Sequence, residues 1–367
     1  MDIVQYSPYF LAGDTGSGNS MRGWCEALSR QGMHVTVLVD EKMTPRAAPS
    51  GIPCRPIPHR FSGRLSVPTG VRHHLGSADL FVIHGGWTLW NIVACREAAA
   101  VHVPYLVTTH GVYNPWVLNN GATIKRIWNL LLERRHLRRA LALHLFFEEE
   151  REGLKRLGVD IPTLIAPNGI SAPEGGVQWD GGSGGYLLWL GRFDPVVKAL
   201  DVLIRSLREL PEHDRPTLRL HGPDFRGGKA SMAQLARALD LERWVMIGDP
   251  IYGEEKWDTI SRAAGCVYPS RWDTSPMAVA EAVGAGVPTL VADYPLGRLL
   301  ASMGAALMCE RSPEGIAKGI ERLLSEEGAQ VAHTGTAAAR EILSWDTVAR
   351  SWCEQAERLM QAGTSQR

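Results

Sequence analysis

Short apolar runs alternate with helix-length stretches along nearly the whole chain, and they do so in two separate series. In the first, Ile3–Tyr6, His34–Asp40, Leu80–His84, Tyr105–Thr109, Leu143–Phe147 and Leu164–Ala166 read as strands. Asn19–Arg30, Thr88–Ala99 and Ile124–Ala140 read as helices between them. In the second, Tyr186–Leu190, Leu218–His221, Val245–Ile247, Cys266–Tyr268, Thr289–Ala292 and Ala306–Cys309 are the strands. Val197–Leu210, Met232–Leu239 and Pro313–Leu324 are among the helices that separate them. This alternation is the grammar of a parallel sheet with helical crossovers. Between the series lies SAPEGGVQWDGGSGG, residues 171–185, in which six of fifteen residues are glycine, so it reads as a linker.

The expected fold is therefore α/β, with two doubly wound Rossmann-like domains, 1–170 and 186–343, facing across a cleft. Residues 344–367 form a last helix, entered at Trp345 with Ser344 as N-cap, that packs back towards the first domain. A length of 367 residues accommodates two cores. The formal charge is zero, so no global field favours nucleic acid. The six cysteines are scattered, without metal-ligand spacing or a disulfide framework. The first residues enter a strand at once, and no signal peptide or membrane span is expected, which points to the cytoplasm.

In doubly wound folds ligands sit beyond the carboxyl ends of the strands, so the loops there carry the candidates. Gly16 and Gly18 follow the first strand and precede a helix, where backbone N–H groups can approach a phosphate. A dinucleotide fingerprint would need a third glycine at position 21, where Met21 stands, which argues against a dehydrogenase. After the first strand of the second series come Arg192 and Lys198, two cations suited to a diphosphate. Asp194 with Pro195 reads as turn chemistry.

Asp273 and Glu281 pose a sharper question. Ser275-Pro276 reads as an N-cap followed by a proline at the first helical position, so Asp273 lies just outside an apolar helix and Glu281 nearly two turns inside it. An ionised carboxylate in such surroundings needs a partner, supplied either by the protein or by a ligand. The plain reading of Glu281 is an internal salt bridge, and that of Asp273 is helix-dipole stabilisation. The alternative for both is a ligand with neighbouring hydroxyls, such as a ribose.

Gly16 and Gly18, THG at 109–111, PNGI at 167–170, GRFDPVVK at 191–198 and YPSRWDTSPMAVAEAVGAGVPTLVAD at 268–293 occur in an order that resembles family 4 retaining glycosyltransferases of the GT-B fold. The likeness covers about 1–350, and the last block, in which Asp273 and Glu281 stand for the family's two glutamates, is its most specific part. By this resemblance Glu281 holds the nucleotide ribose, and Arg192 and Lys198 hold the donor diphosphate. Gly16 belongs to the loop over the phosphates. His110 lies near the transferred sugar. Asp273 contacts sugar hydroxyls together with backbone amides around Ser275 and Met277. Asp273 is shorter than the family's glutamate, Pro276 lacks an N–H, Ala199 replaces a common glycine, and Ser171 replaces a common aspartate.

The resemblance implies a metal-independent transfer with no cofactor, a nucleotide-diphospho-sugar as donor, and a glycan, lipid-linked or small-molecule hydroxyl as acceptor. Positive charge from Arg192, Lys198 and a helix N-terminus would stabilise the departing diphosphate, and the acceptor would attack the face it leaves. The acceptor is expected in the first domain, near His84-Gly85-Gly86-Trp87, Trp90 and Trp116. The basic stretch 125–139, with Trp128 and several leucines, is a candidate for peripheral contact with anionic lipid at the inner membrane surface. A sugar-nucleotide 2-epimerase of the same fold and a non-catalytic sugar-nucleotide-binding protein are the alternative readings.

Overall fold

The computed structural model describes residues 1–13, 15–43, 48–61, 63–119, 121–171, 178–194 and 196–364. Pro195, residues 172–177 of the glycine-rich stretch and residues 365–367 lie outside them. The chain divides into two compact units, Met1–Gly169 with the C-terminal segment from Trp345, and Ile170–Ser344.

In the first unit the strands are β1 (Asp2–Tyr6), β2 (His34–Asp40), β3 (Cys54–Ile57), β4 (His59–Arg60), β5 (Val67–Pro68), β6 (Leu80–His84), β7 (Tyr105–Thr108), β8 (Ala142–Leu145) and β9 (Thr163–Ile165). Seven of them form a parallel sheet in the order β3-β2-β1-β6-β7-β8-β9, while β4 and β5 pair antiparallel on their own. Ile3 stands opposite Val35 on one side and Leu80 on the other. Every residue of β6 is buried, as expected of a strand covered by helices on both faces. The strand order reverses between β1 and β6, which makes that gap the switch point.

The helix Trp345–Thr364 completes this unit. Trp345 meets Trp24 edge-on at 5.5 Å between ring centroids. A Cβ on Gly23 or Gly169 would fall 2.2 or 2.4 Å from the Trp345 ring, so both glycines are required by its packing. Gln355 accepts from the Ile165 N–H and donates to its carbonyl, and so occupies the open edge of β9.

The second unit holds β10 (Tyr186–Leu190), β11 (Thr217–His221), β12 (Val245–Gly248), β13 (Gly265–Tyr268), β14 (Thr289–Val291) and β15 (Leu307–Met308). They form a parallel sheet in the order β12-β11-β10-β13-β14-β15, with its switch point between β10 and β13. Residues 178–185 are tied onto this unit. The Trp179 amide donates to the Ala285 carbonyl and its indole to the Ala263 carbonyl, both at 2.9 Å.

Three elements depart from the sequence expectation. The edge strand β3 carries Pro56, which masks its strand character, and the β4–β5 pair is too short to leave a pattern. The helix expected over 124–140 is broken into Ala122–Trp128, a π-helical turn Asn129–Glu133 and a short helix Arg134–Leu137. Among the described residues no helix is long and apolar enough to cross a membrane.

Candidate active site

The candidate residues fall into two groups, one at the switch point of each sheet. In the second unit, β10 ends at Leu190 and delivers Arg192 just past its carboxyl end. The guanidinium lies over the Phe225 ring, 4.2 Å from its centroid, and reaches the Asp194 carboxylate at 3.3 Å. Asp194 accepts from the Val196 and Val197 amides, which is the turn role its sequence context implies. The turn ends at Ala199, whose φ of 52° is left-handed. That conformation explains why a glycine suits this position and why Ala199 is a departure with a strain cost. The helix Leu200–Glu209 then begins immediately after it.

Lys198 points its ammonium at Asp273, with Nζ 2.5 Å from Oδ2, and both side chains are more than four-fifths buried. Asp273 is held in turn by the Thr274 amide, and Arg271 grips Asp201 with two bonds of 2.9 and 2.7 Å while its amide donates to the Val197 carbonyl. The loop after β13 is thereby clamped to the lysine turn after β10. Arg271 and Asp201 were not legible as a clamp in the sequence, because 70 residues separate them.

The apolar helix runs over Met277–Gly284, and its N-cap is Pro276, not Ser275. Proline at that position has the extended backbone a cap needs, and no side chain caps the helix, so Ser275 is displaced one residue outward. Ser275 and Met277 are both buried beside Asp273 in sequence, at the helix start where the first amides have no intrahelical acceptor. Thr274 is buried too, and its hydroxyl has no hydrogen-bond partner among the described residues.

Glu281 answers the question its burial raises. Its Oε1 accepts from Lys256 Nζ at 2.9 Å, and the two side chains are only 9% and 16% exposed. The protein therefore supplies a partner, and the internal salt bridge is present. Its Oε2 has no partner among the described residues, so one oxygen remains to accept from a ligand hydroxyl. Lys256 sits on the helix Gly253–Ser261 after β12, over the Trp257 ring. Nothing in its local sequence separates it from a solvated helix lysine.

Each cation of this group thus has its own carboxylate: Arg192 with Asp194, Lys198 with Asp273, and Lys256 with Glu281. A diphosphate arriving here must draw Arg192 and Lys198 away from those carboxylates. Arg192 is the easier to redirect, since it is 52% exposed and its bridge is long.

The first unit builds a different group. Gly16 and Gly18 lie inside the first turn of the helix Gly16–Arg30 rather than before it, capped by the Thr15 hydroxyl accepting from the Gly18 amide. A Cβ at Gly18 would fall 2.3 Å from the Phe10 carbonyl oxygen, so glycine is required there. Among the described residues, a Cβ at Gly16 would meet nothing within 4 Å.

His110 follows β7 in a left-handed conformation, φ 48°, and belongs to a chain of polar side chains. Gln5 Oε1 accepts from His84 Nε2 at 2.6 Å, and His84 Nδ1 is 2.8 Å from His110 Nε2. With Nε2 of His84 protonated, its Nδ1 accepts, so His110 Nε2 donates and His110 Nδ1 keeps its lone pair. Burial, then the charge of His110 and of His144, hold His84 well below the ordinary histidine range. Burial followed by His144 lowers His110 to about 3. His144 is lowered by burial to about 4, against the Ala166 carbonyl that accepts from its ring. The three rings are therefore neutral at neutral pH.

Glu150 fixes the turn that carries His110. It accepts from the Thr109 hydroxyl and from the Phe146 and Phe147 amides, and burial pushes its pKa up to about 7 against those bonds. Glu133, fully buried, accepts from the Trp87 amide, the Tyr113 hydroxyl and the Trp128 indole. It pins the Gly85-Gly86-Trp87 turn, and Trp90 meets Tyr9 edge-on at 5.4 Å. Trp116 sits in the short helix Pro115–Asn119, its amide bonded to Asn114. Gln5, Glu133, Glu150 and Lys256 were missed in the sequence. His84 and His110, at the ends of neighbouring strands, were the one pair whose meeting could have been foreseen.

Two parallel α/β units with charged and polar loops at their switch points put the chain in the doubly wound class, whose ligands bind beyond the carboxyl ends of the strands. Two family profiles identify the branch: the glycosyl transferase 4-like domain matches residues 15–169, and the glycosyl transferases group 1 profile matches residues 184–326. The chain belongs to the family 4 glycosyltransferases and has the GT-B fold. Among solved structures it is similar to sucrose-phosphate synthase from Thermosynechococcus elongatus, with TM-score 0.75, 18% identity, and 99% of this chain and 100% of that one covered. It is also similar to HepE of Anabaena in complex with UDP-glucose, with TM-score 0.75, 15% identity and coverage of 98% and 100%. A third is WaaG, a glycosyltransferase of lipopolysaccharide biosynthesis, with TM-score 0.68, 16% identity and coverage of 95% and 98%. No curated protein sequence matches the chain.

Proposed function

We propose that this glycosyltransferase is retaining and metal-independent, and that it moves a sugar from a nucleotide-diphospho-sugar to a hydroxyl of a glycan, lipid-linked or small-molecule acceptor. The observation that carries the reading is the buried Lys198–Asp273 pair at the switch point, with Glu281 just over one turn into the adjoining helix and its Oε2 without a partner among the described residues. Arg192 and Lys198 would neutralise charge growing on the departing diphosphate, which is stabilisation specific to the transition state. That role draws on side chains, and no cofactor is called for. Asp273, released from Lys198 as the diphosphate takes it over, would accept from sugar hydroxyls, with the amides near Ser275 and Met277 beside it. Glu281 Oε2 would accept from the ribose. Gly16 would let the helix start approach the phosphates, and the lone pair on His110 Nδ1 would accept from a hydroxyl of the transferred sugar. The same reading sets residues 125–139 against an anionic lipid surface of the cytoplasm.

A thermal-shift panel of UDP, GDP, ADP and dTDP sugars tests the donor assignment, since a ligand that binds only the native state raises its melting temperature. UDP-sugars come first because HepE, a structural neighbour, was solved with UDP-glucose. The product anomer, followed by proton NMR with and without EDTA, then tests retention and metal independence. A melting temperature unmoved by every sugar nucleotide, or an inverted product, would sink the reading. Epimerised donor in the absence of acceptor would favour the isomerase instead.

A further inference from the structure

His110 occupies a backbone turn that has to be held. The Val112 amide donates to the Thr109 carbonyl at 3.1 Å, and the two residues inside that turn, His110 and Gly111, have φ of 48° and 71°. A left-handed backbone suits glycine and strains a histidine, which keeps it only where the surroundings fix it. Glu150 supplies much of that hold. It is buried at the start of the helix Glu150–Arg156 that follows β8. Its Oε2 accepts from the Thr109 hydroxyl at 2.9 Å, and the Gly111 amide also favours the charged carboxylate. The residues on both sides of His110 are thus tied to one acid. Its Oε1 accepts from the Phe146 and Phe147 amides at 2.7 and 3.1 Å. The Phe146 ring stands edge-on to His110, with 5.4 Å between centroids. Gly153 on the same helix lets it sit close against this segment, since a Cβ there would fall 1.7 Å from the Tyr113 carbonyl oxygen.

We propose that Glu150 is a positioning residue for the transfer: by holding Thr109 and Gly111 on either side of His110, and Phe146 against its ring, the ionised carboxylate sets the direction in which His110 Nδ1 presents its lone pair. This role rests on the reading that His110 accepts from a hydroxyl of the transferred sugar. Glu150 acts through the turn rather than through its charge, because burial and His144 are what lower His110 to about 3. Burial also lifts Glu150 itself to about 7, so it changes charge near neutral pH. Among the described residues no charged side chain contributes to that rise. His110 and His144, from the ends of β7 and β8, are neutral there, and the helix Pro115–Asn119 packed against it carries no titratable group. On its own helix Arg151 is paired with Glu148, and Glu149, Glu152, Lys155 and Arg156 are exposed. The proton belongs on Oε2, since Oε1 faces two amide donors. Protonated, Oε2 becomes a donor, and Thr109 must turn its hydroxyl from donating to accepting. The hold on the turn is therefore complete in the ionised form and is lost as pH falls through about 7.

Two measurements on the full chain test this. The first needs no substrate. The ring nitrogen resonances of His84 and His110, followed by NMR across neutral pH, should shift with a midpoint near 7 although both rings stay neutral. Glu150→Gln should abolish that shift. Thr109→Val removes a bond that favours the charged form, so it should move the midpoint to higher pH, and it serves where Glu150→Gln does not fold. The second measurement uses the donor found by thermal shift. Wild-type kcat should rise with pH through the same midpoint and level off above it. Glu150→Gln should give a kcat that no longer follows pH and is roughly tenfold lower, with donor KM within about twofold of wild type. Rings indifferent to pH in the wild type, or shifting equally in Glu150→Gln, would overturn the positioning role. Rings that shift beneath a flat kcat profile would overturn its part in the transfer. A chain that transfers from no sugar nucleotide sinks the transferase reading instead, and the ring titration then decides by itself whether Glu150 holds His110.

Discussion

The two units place their candidate groups at the same topological position, beyond the strands where the sheet order reverses, yet they fill that position with opposite electrostatics. The second unit gathers three cations and three carboxylates, each in a pair. The first gathers three histidines kept neutral by burial, of which His84 and His110 are linked by a hydrogen bond. Ion pairs can be exchanged for a ligand's charge at modest cost, because one partner is traded for another. A neutral relay cannot neutralise a diphosphate, but it can fix a lone pair in direction. On the proposed reading the contrast is a division of labour: charge compensation in one unit, orientation in the other.

The division breaks if both groups contribute equally to turnover. Lys198→Met should lower kcat by roughly 100- to 1,000-fold, the usual cost of removing a group that stabilises developing charge. His110→Asn should cost much less, since it removes an orienting bond rather than a charge. Initial rates with the donor found by thermal shift decide the matter, and comparable losses in the two variants would overturn the contrast.

The next effect separates stability from binding within the charged group. Lys256→Met strands the Glu281 carboxylate in buried surroundings and should destabilise the chain by about 3 kcal/mol, as broken buried pairs do. Glu281→Met with Lys256→Met removes both charges and should recover most of that loss, while donor affinity stays low. Urea midpoints and donor titration on the same samples read the two quantities. If the double variant binds donor as the wild type does, the pair is purely structural.

The sheets were legible because buried parallel strands are apolar and helical crossovers have a different period. Leu80–His84 and Tyr186–Leu190 are matched residue for residue by β6 and β10. Arg192, Lys198, Asp273 and Glu281 were grouped by the family resemblance of the motifs that carry them, and of the four the structure joins Lys198 to Asp273. Their other partners were not legible. Lys256 is 25 residues from Glu281, on a polar helix whose own pattern says only that it is exposed. Gln5 sits within a strand that reads as core, and Glu150 within a run of glutamates that reads as a solvated helix start. Ala199 was visible as a departure from glycine, but only the left-handed φ shows what that glycine is for. Long-range pairing and backbone sign are both properties of the folded chain, and neither leaves a local pattern.

A smaller effect sharpens the contrast from the neutral side. His144, 2% exposed, is lowered to about 4 where the unfolded ring titrates near 6.5. Above pH 6.5 both states are neutral at this ring and stability is level. As pH falls from 6.5 towards 4, the unfolded chain gains a proton that the folded one does not, so stability falls. His144→Gln should remove up to about 1.4 kcal/mol per pH unit from that slope. Urea midpoints across this range give the slope directly. An unchanged slope in the variant would mean that the ring takes up its proton in the folded state as well.

The smallest effect concerns two glycines two residues apart. Gly18→Ala places a methyl 2.3 Å from the Phe10 carbonyl oxygen, so it must shift the loop and should lower the melting temperature. Gly16→Ala meets nothing within 4 Å among the described residues and has no left-handed backbone to strain. Alanine is the better helix residue, so stability should rise by about 0.5–1 kcal/mol or stay level. Among the described residues no packing dictates glycine at position 16. On the proposed reading the open helix start serves the phosphates, and the same substitution should raise KM for the donor while leaving kcat near the wild-type value. A variant that is more stable and binds donor equally well would show that the first unit's helix start does not approach the phosphates. Orientation by His110 would then be the only role left to that unit in handling the donor.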